Sequence, residues 1–328
     1  MKPPRIAPIV TRGALVALLA CVASAADAGE ARRPYRIGVL NEAWAANHPT
    51  VGGLKEGLRE LGFVEGRDVD YELRFTGGKP GATSAAAQDL VKAGVDLLFT
   101  SDEPAAIAAM SATNRIPVVF TLVGDPVRTG LVKSLAHPEG NVTGISSRST
   151  ELMPKRLEVL KKLVPELRRV WFVVESSEMT DTTVLVTMRD AARRLGLELV
   201  SHTVKDSEQV TQLFKAIKPG DALLAPSLNT LDIPATVLET ARAARVPAVF
   251  TSALWVTHGA LVSYGPDFRA QGVQAARLVA KIIRGAAPRD MPVEGADKID
   301  LAVNLNTAGQ LGLAVPRKIL FRADVIQR

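Results

Sequence analysis

One cysteine, Cys21, serves a chain of 328 residues, and it lies within the first 28. A folded body built from the rest has no thiol, which excludes disulfides, thiolate metal sites and cysteine nucleophiles. Histidine is nearly as scarce. His48, His137, His202 and His258 stand isolated, without an H-E-x-x-H and without a pair at metal-ligand spacing, so no metal is expected. Dinucleotide binding lacks its G-x-G-x-x-G: the first strand-like run is followed by Asn41-Glu42-Ala43-Trp44, with no glycine to let a pyrophosphate approach. Gly77-Gly78-Lys79-Pro80 has proline where a phosphate loop needs serine or threonine, and reads as a turn. Gly144-Ile145-Ser146-Ser147 lacks the second glycine of a nucleophile elbow. No catalytic residue, metal or cofactor is assigned, and the chain is read as a non-enzyme.

Charge is mild. The formal net charge is +6, and without the first 28 residues, which carry Lys2, Arg5, Arg12 and Asp27, it is about +4. The basic residues are scattered among acids, so nucleic acid is not an expected partner. Those first residues have an order of their own: three cations precede an apolar run from Gly13 to Val22, and small residues follow as Ala23-Ser24-Ala25 and Ala26-Asp27-Ala28. This is the pattern of a secretory signal over residues 1–28, and the run falls short of the roughly 20 residues that span a bilayer. Leu18-Leu19-Ala20-Cys21 offers a lipid-attachment alternative, but Leu19 fits that motif poorly, so cleavage after Ala25 or Ala28 and a periplasmic location are expected.

Beyond the leader, about 300 residues suit two domains or one large α/β unit. Apolar strand-like runs alternate with helical patterns: Tyr35 to Leu40, Val51 to Gly62, Val69 to Phe75, Ala82 to Ala93, Val95 to Phe99, Ala105 to Thr113 and Ile116 to Phe120. The order then restarts with Arg169 to Val174, Thr182 to Leu195, Glu198 to Thr203, Ser207 to Lys215, Ala222 to Ala225, Ile233 to Ala244 and Val246 to Phe250. The restart shows in residues as well, since Arg115-Ile116-Pro117-Val118-Val119-Phe120-Thr121 matches Arg245-Val246-Pro247-Ala248-Val249-Phe250-Thr251. A strand from Ala260 to Ser263, a helix from Phe268 to Ile283, a Gly/Pro-rich connector and a strand from Ile299 to Val303 complete the chain. The expected fold is α/β, with two similar doubly wound, Rossmann-like lobes. The first takes residues 34–145 plus about 265–292. The second takes 146–264 plus about 293–328, and the crossing segments allow a hinge.

Open α/β sheets bind ligands beyond the carboxyl ends of their strands. In the first lobe that rule selects Asn41-Glu42, Thr100-Ser101-Asp102-Glu103 and Gly124-Asp125-Pro126. In the second it selects Glu175-Ser176-Ser177, Pro226-Ser227-Leu228-Asn229 and Thr251-Ser252, with Trp255 nearby. Hydroxyls and N–H groups beside helix N-termini suit a carboxylate or other small anion. The same residue types also cap helices whatever the function.

The run Gly124-Asp125-Pro126-Val127, Gly130-Leu131-Val132, Ser134-Leu135 and Pro138-Glu139-Gly140-Asn141-Val142-Thr143-Gly144 resembles the solute-binding proteins of ABC transporters, in the branch with tryptophan- and tyrosine-binding members. Gly52-Gly53-Leu54, Tyr264-Gly265-Pro266-Asp267, Leu311-Gly312 and Pro316 extend the resemblance over residues 35 to 316. It implies a periplasmic-binding type I fold, three segments crossing between lobes, a small molecule enclosed between them, an ABC permease as partner, and a monomer. The positions that match ligand-facing loops are Asn41, Glu42, Thr100, Ser101, Asp125, Ser176, Ser177, Ser227 and Ser252. Two loops depart from relatives: Ser101-Asp102-Glu103-Pro104 replaces a small-residue turn, and Ser227-Leu228-Asn229 lacks an acid. The expected ligand is an aromatic amino acid or another small carboxylate-bearing metabolite. A periplasmic sensory role and an exported α/β enzyme are the alternatives. A cytoplasmic LacI-like regulator is disfavoured by the leader and by the lack of a helix-turn-helix.

Overall fold

The computed structural model describes Met1 and residues 33–42, 48–77, 79, 81–175, 182–226 and 232–328. The expected leader and the positions Ser176, Ser177 and Ser227 lie outside the described residues.

Two sheets carry the fold. The first contains β1 (Tyr35–Asn41), β2 (Val69–Phe75), β3 (Leu97–Thr100), β4 (Val118–Val123), β5 (Val142–Ser146) and the two-residue β11 (Glu294–Gly295), in the order β11-β5-β4-β3-β1-β2. The second contains β6 (Arg169–Glu175), β7 (Glu198–Val204), β8 (Asp221–Leu224), β9 (Ala248–Phe250), β10 (Val262–Pro266), β12 (Ile299–Asn304) and β13 (Val325–Gln327), in the order β13-β12-β10-β9-β8-β6-β7. The first five strands of each share the doubly wound order 2-1-3-4-5. The duplicated R-x-P-x-V-F-T segments therefore fall on β4 and β9, the fourth strand of each repeat. All pairings are parallel except β10 with β12. Val, Ile, Leu and Phe fill the central strands because parallel strands are covered on both faces: every residue of β3, β8 and β9 is buried.

The helices are α1 (Pro49–Glu60), α2 (Ala82–Lys92), α3 (Glu103–Ala112), α4 (Ser149–Leu163), α5 (Thr182–Arg194), α6 (Ser207–Phe214), α7 (Asp232–Ala243), α8 (Ala253–Thr257), α9 (Phe268–Ile283), α10 (Leu305–Gln310) and α11 (Arg317–Arg322). Proline at the first position of α1 needs no N–H partner, and the His48 side chain caps that end by accepting the Thr50 N–H at 3.2 Å. Burial pushes the His48 imidazole down to about 3, so it stays neutral, and its ring stacks on Phe268 at 6.0 Å. Helices α1 and α9 meet through glycine. A Cβ on Gly53 would sit 2.0 Å from the Arg269 carbonyl oxygen, and one on Gly272 would sit 2.0 Å from that of Thr50.

The chain passes from one sheet to the other three times: from β5 into α4, from β10 into α9, and from β11 into β12. The third passage follows Gly295. The crossings are bonded to each other. Ala296 donates its N–H to the Ser146 carbonyl (2.8 Å), Asp267 donates its N–H to the Lys298 carbonyl (3.1 Å), and Lys298 Nζ meets the Asp267 carboxylate at 2.6 Å. Arg156 of α4, 1 % exposed, donates from Nε to the Tyr264 carbonyl (2.8 Å) and from Nη1 to the Ser149 carbonyl (3.3 Å), so it ties two crossings together. Among the described residues no helix is long and apolar enough to cross a membrane.

Candidate functional site

The carboxyl ends of β1 and β3 bring four of the expected residues together. Leu40 pairs with Thr100 across the two strands, and the Ser101 N–H reaches the Leu40 carbonyl at 3.4 Å. Asn41, Thr100 and Ser101 are all buried, and the hydroxyls of Thr100 and Ser101 have no hydrogen-bond partner among the described residues. Buried hydroxyls are normally satisfied, so a pair of unsatisfied ones at a strand end marks a place built for something else.

Asp102 locks this corner. Its Oδ1 accepts the Ala105 N–H at 2.6 Å as the N-cap of α3, and its Oδ2 accepts the Glu42 N–H at 2.7 Å. Burial pushes its carboxyl up to about 7 against the pull of those two N–H groups, and the neighbouring carboxylates of Glu42 and Glu103 push the same way. Glu42 is held by a Thr83 hydroxyl at 3.3 Å on Oε1 and by the Thr76 hydroxyl at 3.1 Å on its carbonyl. Burial raises its carboxyl above the ordinary range, and the Thr83 bond offsets part of that rise. Glu103 is raised by burial too, with Arg128 at 3.8 Å opposing and Asp125 adding to the effect. Asp125 turns inward on its own loop, where its Oδ1 accepts the Arg128 N–H at 3.0 Å. Four carboxyls therefore stand around the start of α3, a setting that favours a cationic group over an anion.

The second sheet gives a different wall. Ser252 is a helix cap, its Oγ accepting the Leu254 N–H at 3.3 Å at the start of α8. Beside it the Thr251 hydroxyl and the Trp255 indole N–H are buried and have no partner among the described residues, with the Trp255 ring 5.6 Å from Phe250. Glu175, also buried, closes the end of β6.

Three residues join the site only through the structure. Thr121 donates its hydroxyl to the Thr100 carbonyl at 3.1 Å. Gln271 of α9 is 1 % exposed; its Oε1 accepts the N–H of Leu122, a residue held at φ 60°, while its Nε2 has no partner among the described residues. In the other sheet the Ser263 hydroxyl, like that of Thr251, has no partner among the described residues. A glutamine on the buried stripe of an amphipathic helix, between Phe268 and Ala275, was the one signal available in the sequence. Among the described residues no group of three or more His, Cys, Asp or Glu could hold a metal ion.

Two doubly wound sheets, polar strand ends and three crossings define the two-lobed periplasmic-binding type I fold. An ABC domain from Streptococcus pneumonia in complex with L-Trp superimposes with a TM-score of 0.78 at 26 % identity, covering 89 % of this chain and 99 % of that one. A conserved domain protein from Vibrio cholerae gives 0.79 at 30 % identity, covering 90 % and 100 %. A tyrosine-binding protein of Clostridioides difficile is 28 % identical over 273 residues, 81 % of this chain and 78 % of that one. Residues 44–327 match the model of the ABC transporter substrate binding protein family, and the chain belongs to that family.

Proposed function

We propose that this chain is an exported, monomeric binding protein that encloses a small zwitterionic or carboxylate-bearing molecule, foremost an aromatic amino acid, and delivers it to an ABC permease without chemistry. The observation that carries the reading is the corner at β1 and β3: unpartnered Thr100 and Ser101 hydroxyls beside the carboxyls of Glu42 and Asp102. Acids there suit a ligand ammonium, and from the other sheet Trp255, whose indole N–H has no partner among the described residues, is an aromatic group just beyond the end of β9. Relatives named for tyrosine and bound to L-Trp support the same class. Lobe boundaries at the three crossings, part of the same reading, would let the two lobes close on the ligand about a hinge.

The test is calorimetric titration with L-tryptophan, L-tyrosine, tryptamine and indole-3-acetate, with each ligand recovered and weighed afterwards. Binding of the amino acids, weaker binding of indole-3-acetate and recovery of unchanged ligand are the expected results. Consumption of a ligand would establish an enzyme instead, and preference for indole-3-acetate over tryptophan would remove the ammonium assignment. Export is tested by intact mass: a mature chain starting after Ala25 or Ala28 is expected, and a diacylglycerol adduct on Cys21 would replace the free protein with an anchored one.

A further inference from the structure

A recess of about 560 Å³ opens on the second lobe, away from the strand-end site, between α4 and α11. Its floor is apolar: Val159, Leu301 and Ile319 are buried there, and Tyr264 is half-buried. Its rim is basic. Lys155 and Lys162 stand two turns apart on α4, and Arg317, Lys318 and Arg322 line the facing helix. The acid on the α4 side is Glu158, which pairs with Lys155 at 2.6 Å and Lys162 at 3.9 Å. Asp324, just beyond α11, is turned to the Leu301 N–H at 2.8 Å. Among the described residues Arg317, Lys318 and Arg322 have no ion-pair partner, so the rim carries uncompensated positive charge. Phe321, 93 % exposed, stands on the same rim.

An apolar floor, an aromatic lip and a cationic rim are complementary to one kind of molecule. We propose that this recess is a second ligand site, which takes a small anionic amphiphile: a single apolar chain or ring system ending in a carboxylate. Its volume falls in the range of roughly 300–1,000 Å³ usual for small-molecule sites. The chain lies on Tyr264 and Leu301 under Phe321, and the carboxylate meets the cations of α11. A flat anionic bilayer would engage the rim but leave the recess unfilled, which is why a monomeric ligand fits the shape better than a membrane surface.

Decanoate is the probe, titrated below its micelle concentration into the full mature chain, with decyltrimethylammonium as the charge-reversed control. Saturable one-site binding of decanoate and none of the ammonium compound is expected. The variants Lys318→Glu and Arg322→Glu alter exposed side chains of α11 and are expected to keep the wild-type unfolding midpoint while weakening decanoate roughly tenfold or more. Phe321→Ser is expected to weaken it as well. Equal binding of the two detergents, or decanoate affinity unchanged in all three variants, would overturn the proposal. So would sedimentation with phosphatidylglycerol vesicles in the absence of any saturable decanoate binding, which would make the rim a membrane-facing patch.

Discussion

Asp102 has two roles that pull its carboxyl in opposite directions. As a cap it accepts two N–H bonds, which favour the charge; in its buried position desolvation disfavours it, and burial wins, pushing the group up to about 7. In the unfolded chain it titrates near the ordinary aspartate value of about 4. Between those values the folded protein keeps a proton that the unfolded chain has lost, so this group makes stability fall as pH rises from about 4 through about 7. Asp102→Asn should flatten that part of the curve, read as the difference between wild-type and variant midpoints across pH. Over the same window wild-type affinity for an ammonium-bearing ligand should rise, because ionisation adds the attracting charge. Thr100→Val tests the other half of the corner. It removes a buried hydroxyl that has no partner, so stability should hold or rise by up to about 1 kcal/mol while affinity for L-tryptophan falls roughly tenfold. Loss of stability with unchanged affinity would make Thr100 structural. These residues were legible because a polar pair after an apolar run marks a strand end; Thr121 and Gln271 were not, since alternation and helical spacing assign them to the core.

Helices α1 and α9 show how one glycine can differ from the next. Gly53→Ala would drive a methyl group against the Arg269 backbone, and the helices must part; a loss of about 2–3 kcal/mol in urea unfolding is expected. At Gly52 an added methyl meets nothing within 4 Å on the exposed face, so Gly52→Ala should stabilise by about 0.5–1 kcal/mol through helix propensity. The alternation of strands and helices could be read from residue 35 to 120 and again from 169 to 303, because parallel strands make unbroken apolar runs. The stretch between them could not. β5 is short and centred on Gly144, whose Cβ would lie 2.3 Å from the Phe120 carbonyl oxygen, and α4 starts from Arg148 at φ 52° and carries Pro154 within it. Such an element is specified by what packs on it rather than by its own composition. The terminal α10, α11 and β13 are too short for periodicity to show.

At the scale of the molecule, a ligand held only by the native state stabilises it by RT ln(1 + [L]/Kd), about 2.7 kcal/mol at a hundredfold excess over Kd. The unfolding midpoint should therefore climb with L-tryptophan, and solution scattering should give a smaller radius of gyration at saturation if the crossings act as a hinge. A constant radius with a rising midpoint would mean binding without closure.

The three crossings also govern when the chain can fold. The core under the first sheet joins Ile37, Val39, Leu54 and Leu58 to Ala275, Leu278, Val279 and Ala296. Strands β1 to β5 are complete at Ser146, yet the helix that covers them arrives only with residues 268–283 and the last strand with Glu294. A chain lengthening from its N-terminus thus carries an unsealed apolar sheet from Ser146 until α9 begins at Phe268, more than a third of its length, and no N-terminal fragment ending before α9 contains a finished lobe. Domain-by-domain folding, the usual order for two-lobed proteins, is closed to this wiring. The first core awaits the last fifth of the polypeptide, and the second, which includes Leu301, Val303, Ala308 and Ile319, awaits the last tenth.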